Sequence, residues 1–235
     1  MASLEELTIK YDVDALELGY TSHYAKLLDS VRYDIKKVLE IGVETGRSHR
    51  MWLEYFPNAT IYGMDVFDET DRSGYVKEFY RLQKGNPYLD RSIMFEGNQS
   101  NVDDLQRFLS EHGSNFDMII DDGGHTMKQM QISLNYLWNS VKSGGLYVIE
   151  DLHSCSNQWT TLYGRVVIKD GDTLTSDLLY SLEADDGIIT ETNYISAGMI
   201  DKIKSELDWC KTEIGVQSYR NYKWPTMLCF MRKEI

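Results

Sequence analysis

Two groups of carboxylates stand out for the chemistry they could do. In Ile119-Ile120-Asp121-Asp122-Gly123-Gly124-His125, an apolar run ends in two acids, followed by two glycines and a histidine. A second apolar run, Leu146-Tyr147-Val148-Ile149, ends in Glu150-Asp151 and is followed by Leu152 and His153. Four carboxylates brought to one place repel each other unless a cation sits among them. Magnesium fits such a group, because it prefers oxygen ligands and keeps waters that a substrate can displace. Helix capping with solvated loop charge is the plainer alternative. His125 follows Asp122 by three residues, so a glycine turn can bring its imidazole to the same place. An imidazole with an ordinary pKa near ~6.5 suits a general base, although histidines also often cap helices. His153 reads as support or packing.

A different chemistry is written in Glu40-Ile41-Gly42-Val43-Glu44-Thr45-Gly46, where an apolar run meets glycines. Glycine lets the backbone turn and approach a ligand. The dinucleotide fingerprint needs a glycine where Glu44 stands, and a pyrophosphate would meet Glu40 and Glu44. A cationic or zwitterionic ligand fits better. S-adenosylmethionine carries a sulfonium, an ammonium and no phosphate. Asp65 ends the next apolar run, where a ribose diol would lie, though an Asp there is also a common helix N-cap. Gln99 and Ser100 follow the third run and could bind an adenine or begin a helix.

These groups need a scaffold that brings strand ends together. Val38–Gly42, Thr60–Asp65, Ser92–Glu96, Phe116–Asp121 and Gly145–Glu150 read as short buried strands. Helical patterns stand between them, at 46–55, about 70–84, 102–109 and 127–141. Such alternation predicts a parallel sheet with helices on both faces. Gln217–Tyr222 and Met227–Met231 predict a closing hairpin around Lys223-Trp224-Pro225-Thr226, with an antiparallel final strand. Further helices are expected at 175–184 and 199–209. Residues 155–210 are the least regular stretch and are expected to cap the site. There Trp159, Tyr163, Tyr180, Tyr194 and Trp209 either line an aromatic pocket or pack. The whole of 1–235 is expected to form one domain, with 1–35 as an N-terminal helical segment and a possible homodimer contact.

Composition narrows the partners. Lys plus Arg is 24 against 37 Asp plus Glu, a net charge of −13, which argues against nucleic acid and anionic membrane surfaces. Apolar residues are 42% and charged residues 26% of the chain, a globular balance. No apolar run is long enough to span a bilayer, and the acidic N-terminus lacks a signal core, so a cytoplasmic location is expected. Cys155, Cys210 and Cys229 have no metal-type spacing and are read as free thiols.

From about Gly19-Tyr20-Thr21 to Asp151-Leu152-His153 the chain resembles the metal-dependent class I methyltransferases that act on sugar hydroxyls of natural-product glycosides. The resemblance rests on Leu39-Glu40-Ile41-Gly42-Val43, the run from Met51 to Ala59, Gly97-Asn98-Gln99-Ser100, Asp121–Thr126 and Gly144–His153. It implies a Rossmann-like, mostly parallel seven-stranded sheet whose last strand is antiparallel. It also implies metal ligation by Asp122, Glu150 and Asp151, with His125 as base. On the donor side the expected residues are Thr21, Glu40, Gly42, Gly46 and Ser48, then Asp65, Gln99, Ser100 and Asp121. The implied reaction is S-adenosylmethionine-dependent, magnesium-assisted O-methylation of a small natural product or sugar. Two departures are Ala15-Leu16-Glu17-Leu18, where the family usually has a Lys-Gly pair, and a longer 67–90 segment; no large auxiliary domain is expected. A metal-dependent hydrolase on the same acids, or a non-catalytic donor-binding protein, are the rival readings.

Overall fold

The computed structural model describes residues 2–68, 70, 74–155, 173–219 and 222–235, with the side chains of 154–155, 215–219 and 222–225 left aside. An N-terminal pair of helices, α1 (Leu4–Tyr11) and α2 (Thr21–Leu28), precedes the sheet. Ser3 opens α1 with a reciprocal cap: its hydroxyl accepts from the Glu6 N–H, and its own N–H donates to the Glu6 carboxylate. Strands and helices then alternate through β1 (Lys37–Ile41), α3 (Arg47–Tyr55), β2 (Thr60–Asp65), α4 (Tyr75–Gln83), β3 (Ser92–Glu96), α5 (Val102–His112), β4 (Phe116–Asp121), α6 (Met127–Leu137) and β5 (Val141–Ile149). The chain continues through α7 (Thr175–Ala184), α8 (Ala197–Glu206), β6 (Leu207–Tyr219) and β7 (Tyr222–Lys233).

The strands form one seven-stranded sheet in the order β3-β2-β1-β4-β5-β7-β6. β1 to β5 are parallel, and β7 enters antiparallel between β5 and β6. This is the class I methyltransferase arrangement. The order reverses between β1 and β4, which opens a crevice at their carboxyl ends. Alternating side chains divide the core in two. Leu39, Ile119 and Ile149 pack with α5, α6, α7 and α8, while Val38, Ile120 and Val148 pack with α1, α2 and α3. Truncating Leu39, Ile119, Ile120 or Ile149 to Ala is expected to cost roughly 2–5 kcal/mol.

The closing hairpin is longer than the sequence predicts. β6 begins at Leu207, where helical spacing from Ile200 and Ile203 continues into the first strand residue and hides the change of period. β7 begins at Tyr222, so residues 223–226 lie in the strand rather than in the expected turn. Pro225 is therefore a strand residue paired with Val216. It lies beyond the β5 contact, which ends at Cys229, and there a missing N–H breaks no inner ladder.

The described part of the expected cap packs on the sheet. Leu178, Leu179, Leu182, Ile200 and Ile203 of α7 and α8 are core residues. Tyr194 and Trp209 pack against the two cores, and Tyr180 is partly exposed. Trp159 and Tyr163 lie outside the described residues. Cys210 and Cys229, far apart in sequence, are free thiols whose sulfurs lie 3.4 Å apart on β6 and β7. No described helix is long and apolar enough to cross a membrane.

Candidate active site

A cleft of about 840 Å³ opens at the carboxyl ends of β1, β2 and β4. That volume lies within the range of ligand pockets, roughly 300–1,000 Å³. Its floor is the loop after β1. Gly42 has φ +87°, and a Cβ built on it would sit 2.1 Å from the Asp122 carbonyl oxygen. Only glycine lets the β1 and β4 ends approach this closely. The Asp122 N–H donates to the Ile41 carbonyl at 2.9 Å, and the Glu150 N–H donates to the Asp121 carbonyl at 2.9 Å. The three strand ends are thus stitched side by side.

The donor-side residues divide into those that face the cleft and those that brace it. Asp65 lines the cleft and holds the glycine loop, accepting from the N–H groups of Val43 at 2.7 Å and Glu44 at 2.9 Å. Gly42, Ser48 and Gln99 also line it. Gln99 spans the loops: its side-chain oxygen accepts from the Gly124 N–H at 2.6 Å, and its amide donates to Asp121 at 2.8 Å and Ser133 at 2.9 Å. Gly46 starts α3 in the left-handed region, φ +76°, and a Cβ there would meet Phe79 at 2.9 Å.

Besides Gly46, four expected donor-side residues do not line the cleft. Glu40 is buried and bonded to His49 Nδ1 at 2.9 Å, whose Nε2 meets the Ser92 hydroxyl at 3.0 Å. Strand alternation turns Glu40 toward α3. Thr21 is buried 3.5 Å from the Thr8 hydroxyl, in the packing of α2 on α1. The Ser100 hydroxyl donates to Asn98 within its own turn. Asp121 points into the interior behind Gln99, and burial pushes its carboxyl up to about 7 against the opposing Gln99 bond.

The acidic end is built around His125. Asp122, His125 and Asp151 each offer an atom within 4.8 Å of the others, a grouping that could hold a metal ion. His125 Nε2 lies 3.6 Å from Asp151 Oδ2. Asp151 adopts a left-handed backbone, φ +53°, which turns its side chain out of the β5 line. Glu150, expected as a ligand, is not in this group. It accepts a hydrogen bond from the buried Tyr24 hydroxyl. Burial, with Asp151 adding to it, raises the Glu150 carboxyl to about 8 despite that bond. Asp122 is raised well above the usual range, by burial first and then by Glu150 and Asp151. His153 Nδ1 accepts from the Met227 N–H at 3.3 Å and stands 3.9 Å from Asp151, and burial lowers its pKa.

Residues to which the sequence reading gave no role also belong here. Asp14 lines the cleft, its carboxyl raised by desolvation and by Asp151. The Tyr20 hydroxyl donates to Asp151 Oδ1 at 2.9 Å and lies 3.2 Å from the Met227 carbonyl. Tyr20 and Tyr24 stand four apart, a spacing that places both on one helix face, but nothing in sequence says which carboxylate they meet.

Residues 39–152 match a family described as a methyltransferase domain. The chain is 31% identical over 159 residues to L-olivosyl-oleandolide 3-O-methyltransferase of Streptomyces antibioticus, covering 63% of this chain and 36% of that protein. It is 35% identical over 140 residues to a rhamnosyl-tetracenomycin-C 3'-O-methyltransferase of Streptomyces olivaceus, covering 57% of this chain and 31% of that one. The chain spans about a third of the length of these curated relatives. Among solved structures it is similar to the MycE methyltransferase in complex with Mg and S-adenosylhomocysteine (SAH), with 26% identity and a TM-score of 0.67 over 99% of this chain and 55% of that one.

Proposed function

We propose that the protein is an S-adenosylmethionine-dependent O-methyltransferase acting on a sugar hydroxyl of a small natural product, since residues 39–152 match a methyltransferase-domain family and the chain is similar to the O-methyltransferases named above. The observation that carries this reading is the meeting of Asp122, His125 and Asp151 at the end of a cleft floored by the Gly42 loop. The MycE structure holds Mg and SAH, and the residues here suit both.

The oxygen-rich set of Asp122 and Asp151, with Glu150 behind, fits a hard divalent cation. Bound there, it would supply Lewis acidity that makes an acceptor hydroxyl easier to deprotonate. S-adenosylmethionine supplies the methyl group, carried on its sulfonium. The donor is cationic, and the cleft is lined by Asp12, Asp14, Glu44, Asp65, Asp68 and Glu78, a potential that attracts it. Asp65 fixes the loop that approaches the donor and presents a carboxylate to the ribose diol. His125 takes the acceptor proton at Nε2, the nitrogen facing the acids, and Asp151 stabilises the resulting imidazolium. Holding the hydroxyl in line with the methyl supplies much of the rate.

Residues 1–235 act as one methyltransferase domain, because α1 and α2 share a core with α3 and the sheet. The free Cys210 and Cys229 side by side suit a reducing, cytoplasmic interior.

The test is calorimetric titration with S-adenosylmethionine, with magnesium and after chelation, followed by turnover with acceptors bearing adjacent hydroxyls. Micromolar donor binding and chelator-sensitive methylation are expected. A protein that binds no donor in either state is not a methyltransferase, and the acid cluster would then be a hydrolytic or structural metal site.

A further inference from the structure

The two acids that end β5 are neighbours in sequence but point to different partners, and one short helix determines which. Tyr20, at the entry to α2, donates to Asp151 Oδ1, while the other oxygen of that carboxylate faces His125. Tyr24, one turn later, donates to Glu150. Both rings are fully buried. Tyr24 is clamped edge-on between Trp52 and Phe230, with ring centroids 5.2 Å away in each case. The entry to α2 is tied to β7, because the Thr226 hydroxyl donates to the Leu18 carbonyl at 2.6 Å. Neither phenol can follow a carboxylate that moves, so each carboxylate is held to its phenol.

We propose that Tyr20 and Tyr24 are positioning residues for the cation site: Tyr20 fixes Asp151 with one oxygen turned toward Asp122 and His125, and Tyr24 holds Glu150 behind it. This rests on the metal-assisted reading above. A carboxylate that has lost its supporting donor can rotate, and three acids in close contact will rotate apart. Losing an outer partner of a metal ligand typically costs roughly 10–100-fold in affinity.

The probe is Mn2+, titrated by electron paramagnetic resonance into the wild-type protein, Tyr20→Phe and Tyr24→Phe, with no donor or acceptor present. Phe keeps the buried ring and removes only the hydroxyl. The expected result is a rise in Mn2+ dissociation constant of about tenfold or more in Tyr20→Phe, whose partner Asp151 belongs to the metal group, and a smaller rise in Tyr24→Phe, with an altered spectrum for the bound ion. Metal-free melting is followed in parallel, because a purely structural hydrogen bond would lower stability and leave the ion's affinity and spectrum unchanged. In the wild type, Mn2+ should also produce a tyrosine ultraviolet difference spectrum, which decides the matter if either variant fails to fold. Unchanged Mn2+ affinity in both variants, or no tyrosine signal in a wild type that binds the ion, overturns the positioning role alone. A wild type that binds no Mn2+ overturns the metal site and this role with it.

Discussion

The two ends of the cleft are assembled in opposite ways. At the donor end, the β1 loop is held by Asp65 about twenty residues later, with backbone N–H groups of Val43 and Glu44 as the partners. At the acid end, the hydrogen bonds that hold Asp151 and Glu150 come from residues 131 and 126 positions away. The donor end is a local product of strand, glycine turn and next strand. The acid end exists only once the sheet has closed and α2 has docked beneath β5 and β7. The first arrangement can be read along the chain, and the second cannot.

The largest effect that would separate the two ends comes from His125. His125→Ala is expected to lower turnover roughly 10²–10⁴-fold while donor affinity, measured by calorimetry, stays within about twofold. Equal loss of both would mean that the ends are not independent. Gly42→Ala strikes the point where they touch. A Cβ at φ +87° that meets the Asp122 carbonyl should cost at least about 2 kcal/mol, read by chemical denaturation, and should weaken donor and metal binding together. Asp65→Asn should act at one end only, weakening the donor about tenfold, a loss of roughly 1.4 kcal/mol, with Mn2+ affinity unchanged. Ser100→Ala should change neither, because its hydroxyl serves only its own turn; stability within about 0.5 kcal/mol and unchanged donor affinity are expected.

Much of the scaffold was readable because its strands are short apolar runs separated by helical patterns, from β1 through β5. The hairpin boundaries were not, since Leu207 satisfies both periods and Pro225 reads as a turn unless the edge around it is known. Among the site residues, Asp122, Asp151 and His125 converge as their spacing suggested. Glu40 shows the limit of spacing arguments. It stands where a ligand carboxylate would be expected, yet its side chain meets His49 on the α3 side of the sheet. Asp121 likewise differs from Asp122 by the one-residue step that reverses a strand face. Tyr20, Tyr24 and Asp14 carry no local signature, because their roles depend on where a distant helix docks.

The tie between Thr226 and Leu18 spans 208 positions of chain. A polypeptide emerging from the ribosome can pair β1 with β2 early, and so shape the donor loop while synthesis continues. It cannot lock the entry to α2 until residue 226 is free of the exit tunnel, because contacts between distant segments form only after the intervening loop is closed. The acids of β5 therefore remain unaligned until residue 226 has emerged. The acid end of the cleft is completed later than the donor end.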